Sequence, residues 1–482
     1  MKGKDVIDAL GGVSENDIKE SAPKPKKRKK KIWLAAVAAV LVIAITVGIV
    51  LRGGNPMNVD PLPGTIKSFA VSAPRYPESV PYPASELGNG YDKWWDSRRA
   101  QMAYCNAGDD YQAFMDRCAA ALLGARHENT VYSPVSVFLA CAMLAELTGG
   151  NTRAQLLDAL GAQSIESLRE TANSVWNANF CNDGATTSLL GSSVWLSKDI
   201  KYNKSVLDTL AEYYYAASCS GDFAKKKYVD AMGAWINEQT GNLLSDAVKG
   251  MDISPETVFT LLSTVLFRAK WNNEFEKSKT QPGIFYAPDG EQTADFMHQT
   301  FIYGTYYWGE HFGAVSISFK EGGEMWFLLP DEDVSPDELF TDPEVSLLID
   351  ALGDYSAESE WKNQKSLRVN LSVPKFDVSS DVDLSEVLKM LNITDCFSLS
   401  TADFSPLTED TGVFVSQVKH AARVKIDEEG VEAAAFTAIV GCGAAMPPEE
   451  EMDFVLDRPF AFVIMGLDSV PLFEGTVFDI SG

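Results

Sequence analysis

"VSQVKHAARVKIDEEGVEAAAFTAIVGCGAAMPPEEE" runs from Val415 to Glu451. Its first part alternates. Val418, His420, Ala422, Val424 and Ile426 share one face; Gln417, Lys419, Ala421, Arg423 and Lys425 share the other. A period of two marks a strand with one buried face. From Glu428 the character changes. The next two dozen or so residues are too long for a turn, too apolar for a solvated linker and too rich in Gly and Ala for a core strand. They lead into "FVLDRPFAFVIM" and "PLFEGTVFDI", which read as strands again. Unstructured stretches beyond about 12–15 residues are uncommon in compact domains and usually carry function or are disordered.

The Ala433–Ala435 run would suit a helix, but a strand reading from Val431 is more informative. One face then carries Val431, Ala433, Ala435, Thr437 and Ile439, all small or apolar; the other carries Glu432, Ala434, Phe436, Ala438 and Val440. The first face could enter a sheet without steric clash or buried charge, and the second could face solvent or a covering helix. Gly430 offers unusual backbone angles at the base of this stretch.

Upstream, "YQAFMDRCAAALLGA" has helical spacing at Phe114, Cys118 and Leu122. "SPVSVFLACAMLAELTGG" reads as a nearly all-apolar helix after a Ser-Pro start, closed by Gly149–Gly150. "NTRAQLLDALG" follows as a helix capped by Asn151 or Thr152. "YVDAMGAWINEQTG" is amphipathic. "VFTLLSTVLFRAKW" (Val258–Trp271) is β-branched, aromatic and free of charge until Arg268, as a central strand requires. "MWFLLP" and "SLRVNLSVPKF" read as further strands. The class is mixed α+β, without internal repeats.

The chain has 482 residues and a net charge of −26. Residues 1–52 hold eleven Lys/Arg against five Asp/Glu, so the acidity lies in the remainder. Such a body does not suit nucleic-acid binding. The seven cysteines form no CxxC pair and the four histidines (His127, His298, His311, His420) show no ligand spacing. Neither a metal site nor a cofactor is expected. No GxSxG elbow accompanies the serines, and His420 sits mid-strand on a buried face, so no catalytic residue is assigned.

"KPKKRKKK" abuts "IWLAAVAAVLVIAITVGIVL" (Ile32–Leu51), twenty uncharged residues, about the length of a membrane-spanning helix. Basic residues stay on the cytoplasmic side. The expectation is a basic cytoplasmic tail (1–31), a single transmembrane helix (32–51), a Pro-rich spacer with an amino-terminal extension (52–109) and an external folded domain (110–482). A bacterial surface protein fits that layout.

The ordered segments resemble the serpin family across residues 110–482. "NTVYSPVSVFLACAMLAELTGGNTRAQLLDALG" is similar to the family's Asn-x-x-x-Ser-Pro-x-Ser helix and the helix start after it. "TVLFRAKWNNEF" resembles its Phe-x-x-x-Trp strand. "VPKF", "LNITDCF", "ADFSPL", "VSQVKHAARVKIDEEGVEAAAFTA" and "LDRPFAFVI" follow in the family's order. The resemblance implies three β-sheets, eight to nine helices and an exposed reactive-centre loop from Glu428 to about Met452.

It also implies a mechanism. A serine protease attacks the loop, forms an acyl-enzyme and is trapped when the cut loop inserts into the central sheet. The hinge would be Glu428, Glu429, Gly430, Val431, Glu432, Ala433, Ala434 and Ala435. Counting from Gly430 as the family does places the scissile bond at Ala444–Ala445, and a small residue there suits an elastase-like pocket. Ser133, Ser136, Ser263, Trp271 and His420 match positions controlling sheet opening. Ser263 stands where the family has Asn, so its reach to His420 is shorter. The expected partners are serine proteases, the protein acting as a monomer. The alternative is a non-inhibitory member acting as a surface binding or structural module.

Overall fold

The most apolar strand-like run becomes the middle of a sheet. In a computed structural model, which describes residues 36–43, 45–46, 60–83, 89–102, 109–242, 248, 253–320, 322–353, 361–431, 448–466 and 470–480, strand β8 (Thr257–Lys270) is buried at every residue but its last. Its sheet has the order β14 (Asp377–Asp383), β15 (Val413–Lys425), β1 (Ala36–Ile43), β8, β6 (Thr187–Ser197), β7 (Ala216–Gly221) and β3 (Ala70–Ser72). Two short strands, β2 (Ile45–Thr46) and β16 (Gly430–Val431), also pair with β8, and β5 (Cys181–Asn182) pairs with β6.

The second sheet runs β17 (Glu451–Val455), β13 (Gln364–Pro374), β10 (Gly290–Trp308), β11 (Phe312–Ser318), β12 (Glu324–Pro330), β18 (Phe460–Met465), β19 (Pro471–Val477) and β4 (Thr130–Tyr132). β9 (Gln281–Ala287) flanks β10. The 19 residues of β10 serve both halves: its start pairs with β9 and its last two residues with β11. One sheet thus becomes two lobes, which with the first sheet make the expected three.

Nine α-helices occur among the described residues: α1 (Asn89–Met102), α2 (Asp109–Leu123), α3 (Pro134–Leu147), α4 (Gly150–Ala159), α5 (Ile165–Asn179), α6 (Lys204–Tyr213), α7 (Lys226–Gln239), α8 (Pro343–Gly353) and α9 (Ser385–Met390). α3 is buried along its whole length, as its all-round apolar sequence requires. Ser133 caps it by accepting from the Ser136 N–H at 3.3 Å, with Pro134 as the first helical residue. α4 begins at Gly150 with Gly149 at the cap position, two or three residues before the expected cap at Asn151 or Thr152.

Glu146 on α3 is buried. It accepts from Arg169 Nε (2.5 Å) and Nη2 (2.8 Å) on α5 and from Tyr214 Oη (2.9 Å) just after α6. Three helices therefore meet on one carboxylate. Arg169→Met should destabilise the protein by about 3 kcal/mol or more, because a buried charge loses its partner; urea unfolding measures it. Glu474 on β19 has another character. It is buried and accepts from Tyr132 Oη at 2.6 Å, and burial raises its pKa to about 8. Between the unfolded value of about 4.5 and 8 the folded state holds a proton that the unfolded chain has lost. Stability should fall as pH rises through that window. Glu474→Gln should flatten the decline, as thermal unfolding across pH 5–8 would show.

Within the expected membrane helix over 32–51, the described residues 36–43 and 45–46 are strand rather than helix. Ala36–Ile43 is a strand, parallel to β15 on one side and to β8 on the other. Among the described residues no helix is long and apolar enough to cross a membrane. The single-pass anchor, its membrane contact and the cell-membrane location are corrected accordingly. A uniformly apolar run has no period to separate a spanning helix from a strand buried on both faces, and its Val and Ile content favours the strand. Residues 1–31 lie outside the described residues.

The Pro-rich stretch lies along the body over residues 60–83. Ile66 is fully buried, β3 pairs with β7, and the Pro61 carbonyl accepts from Trp235 Nε1 at 3.2 Å. Cys118, Cys141, Cys181, Cys219 and Cys396 are buried free thiols; Cys105 and Cys442 lie outside the described residues.

Candidate reactive loop and its seat

β15 leaves the first sheet and turns at Asp427–Gly430, where the Asp427 N–H donates to the Gly430 carbonyl at 3.1 Å. Gly430 and Val431 then pair antiparallel with Lys270 and Ala269 at the end of β8. The third and fourth residues of the long segment are thus already strand. Gly430 is required here. Its φ is +152°, and a Cβ would lie 2.3 Å from the Ala269 carbonyl oxygen.

The turn is held from several sides. Trp271 donates from its backbone N–H to the Glu429 carbonyl at 3.2 Å and from Nε1 to the Asp427 carbonyl at 2.9 Å. Its ring stacks on Phe319. Glu428 is 7% exposed and pairs with Lys375 Nζ at 2.7 Å while accepting from Thr280 Oγ1 at 2.8 Å. Burial pushes its pKa up, but those bonds outweigh it and hold the carboxyl below its ordinary value. Glu429 pairs with Lys277. Thr280, Lys277 and Lys375 carry no sequence signal for this role. They lie far away along the chain, and no local pattern marks them.

Beneath the sheet, the start of α3 ties to both strands flanking β1. The Ser136 and Ser263 hydroxyls are 3.1 Å apart, linking α3 to β8. His420 Nε2 accepts from the Ser133 N–H at 3.2 Å, linking α3 to β15. Accepting there makes Nε2 the unprotonated nitrogen of the ring. All four residues are buried. The structure thus brings Ser133, Ser136, Ser263 and His420 together, with Ser263 meeting Ser136, and places Trp271 with Glu428, Glu429, Gly430 and Val431 at the loop base. Glu432, Ala433, Ala434, Ala435, Ala444 and Ala445 lie outside the described residues. The chain is described again from Pro448, and Glu451–Val455 joins β13 in parallel.

The edge of β8 is occupied below the hinge. Val37, Ala39, Val40, Leu41 and Val42 of β1 stand opposite Thr257, Thr260, Leu261, Leu262 and Ser263, while Ile45 and Thr46 stand opposite Leu266 and Phe267. The two faces of β8 are distinct. Ser263 points to α3. Thr264 points the other way, since a Cβ on Gly191 would meet both Thr264 Oγ1 and Gln239 Oε1 of α7.

The family model described as "Serpin (serine protease inhibitor)" matches residues 111–480. Serpin-Z5 of rice (Oryza sativa subsp. japonica) is 32% identical over 393 residues, covering 74% of this chain and 86% of its own length. Human neuroserpin is 26% identical, over 70% of this chain and 82% of its own. Among solved structures, the thermophilic serpin tengpin in its native state superposes with a TM-score of 0.67 at 28% identity, covering 77% of this chain and 93% of that one. The curated relatives named here are from a plant and a mammal and give no support to a bacterial origin.

Proposed function

Because the chain belongs to the serpin family of serine protease inhibitors, we propose that it is a suicide substrate that traps an elastase-like protease by inserting its cut loop beside β8. The observation that carries this reading is the antiparallel pairing of Gly430–Val431 with β8. Continuing that register sets Ala433 against Phe267, Ala435 against Val265, Thr437 against Ser263 and Ile439 against Leu261. These loop residues would face α3, where small or apolar side chains fit. Phe436 would stand opposite Thr264, on the α7 side. The register ends with Gly443 against Thr257, the first residue of β8. Ala444, one residue on, is where the acyl bond would hang after full insertion. Cleavage at Val440 would leave the strand several residues short.

Fifteen residues from Gly430 to Ala444 extend about 50 Å as a strand, which would carry a covalently attached protease from one end of the sheet to the other. The loop must displace β1 and β2 from β8. Both are parallel to β8, and antiparallel pairing is the somewhat stronger kind. The incoming strand is also longer.

A small residue at 444 suits a shallow protease pocket. Mass spectrometry of the products formed with pancreatic elastase should locate the cut at Ala444–Ala445. Ala444→Arg should shift the reaction to trypsin, whose pocket carries a buried Asp. A cut at Val440 in every product would refute this assignment.

A second reading is favoured by β1 itself. If the sheet is complete with β1 in place, the loop has nowhere to insert, and the protein is a non-inhibitory serpin acting as a binding or structural module.

A further inference from the structure

The amino-terminal extension builds a pocket against the end of α5 and the start of the first sheet, and the geometry points to a binding site there for a small monocarboxylic acid with an apolar body. The pocket has a volume of about 230 Å³ and is lined by Pro77, Val80, Trp94, Arg98, Phe180 and Cys181, among others. The matched family region begins at residue 111, so Pro77, Val80, Trp94 and Arg98 come from outside it. At ~30 Å³ per water in the liquid, the space holds roughly eight waters, close to the bulk of a phenylpropionate.

Arg98 carries the inference. Its side chain lies on α1 and is only 5% exposed. Nη1 donates to Gln101 Oε1 at 3.1 Å. Nη2 is buried and has no acceptor among the described residues. Gln101 is not free to turn toward it, because its Nε2 is committed to the Asn177 and Phe180 carbonyls. Asp183 lines the same pocket, but its carboxylate is used elsewhere. Oδ2 accepts from Trp94 Nε1 at 3.0 Å, and Oδ1 accepts from the Ala185 and Thr186 N–H groups at 3.0 and 2.8 Å. Among the described residues no carboxylate pairs with Arg98.

A buried guanidinium with an unused donor is costly, and buried polar groups are normally satisfied. A carboxylate is the ligand group that matches it best, accepting in the plane of the fork. Trp94, whose ring centre lies 6.0 Å from Arg98 Cζ, and Phe180 offer apolar surface for the rest of the ligand. Cys181 is not a reactive wall: burial pushes its thiol well up, and Sγ donates to the Thr186 carbonyl at 3.6 Å.

The test is calorimetric titration of the full chain with 3-phenylpropionate and, separately, with 3-phenylpropionamide, which keeps the shape and removes the charge. The acid should bind at least ten-fold more tightly than the amide. Arg98→Met should weaken acid binding at least ten-fold and leave the amide unchanged, with Arg98→Lys in between. Equal binding of acid and amide, unchanged acid binding by Arg98→Met, or no binding of the acid at millimolar concentration would each overturn the site. Should Arg98→Met fail to fold, the acid–amide comparison on the unaltered chain decides alone.

Discussion

Cutting the loop at Ala444–Ala445 should raise the melting temperature by about 20 °C or more. The cut frees thirteen residues, 432–444, to extend the β16 pairing down β8. A net gain near 0.5–1.5 kcal/mol per hydrogen bond amounts to about 10 kcal/mol over the strand, less what is lost with β1 and β2. At roughly 2–4 °C per kcal/mol for a domain of this size, the shift is tens of degrees. Thermal unfolding before and after limited proteolysis measures it. A change of only a few degrees would favour the non-inhibitory reading, in which β1 keeps its place.

Ala433→Arg should abolish trapping while leaving cleavage intact. The register places residue 433 opposite Phe267, which is fully buried, on the face turned toward α3. An arginine there would bury a charge without a partner, at a cost of several kcal/mol. Insertion would stall at its first step, and hydrolysis of the acyl-enzyme would win. Covalent complex should fall at least ten-fold and cleaved protein should accumulate instead. Ala434→Arg, on the opposite face, should lose far less. Equal losses for the two would mean that the register is wrong.

Much of this arrangement was legible in the sequence. The alternation through Val418–Ile426 gave β15 with its buried face, and the charge-free run before Arg268 gave β8. Ser-Pro at 133–134 gave the start of α3. These are local signals with a definite period or cap. The amino-terminal apolar segment misled because it has no period: the same Val, Ile and Ala residues satisfy a spanning helix or a strand between β8 and β15. The residues that hold the hinge, Lys375 on Glu428 and Lys277 on Glu429, are joined to it only by the fold. So is Arg98, although its place four residues after Trp94 on an aromatic-rich helix is the one hint that a charge sits on an apolar face.

On this mechanism the cut loop, rather than β1, ends beside β8 with the protease still attached. Incubation with pancreatic elastase followed by denaturing gel electrophoresis tests it most directly. The expected result is a band at the summed mass of inhibitor and protease that survives boiling in detergent. Cleaved protein alone, with the protease released and fully active, would contradict it.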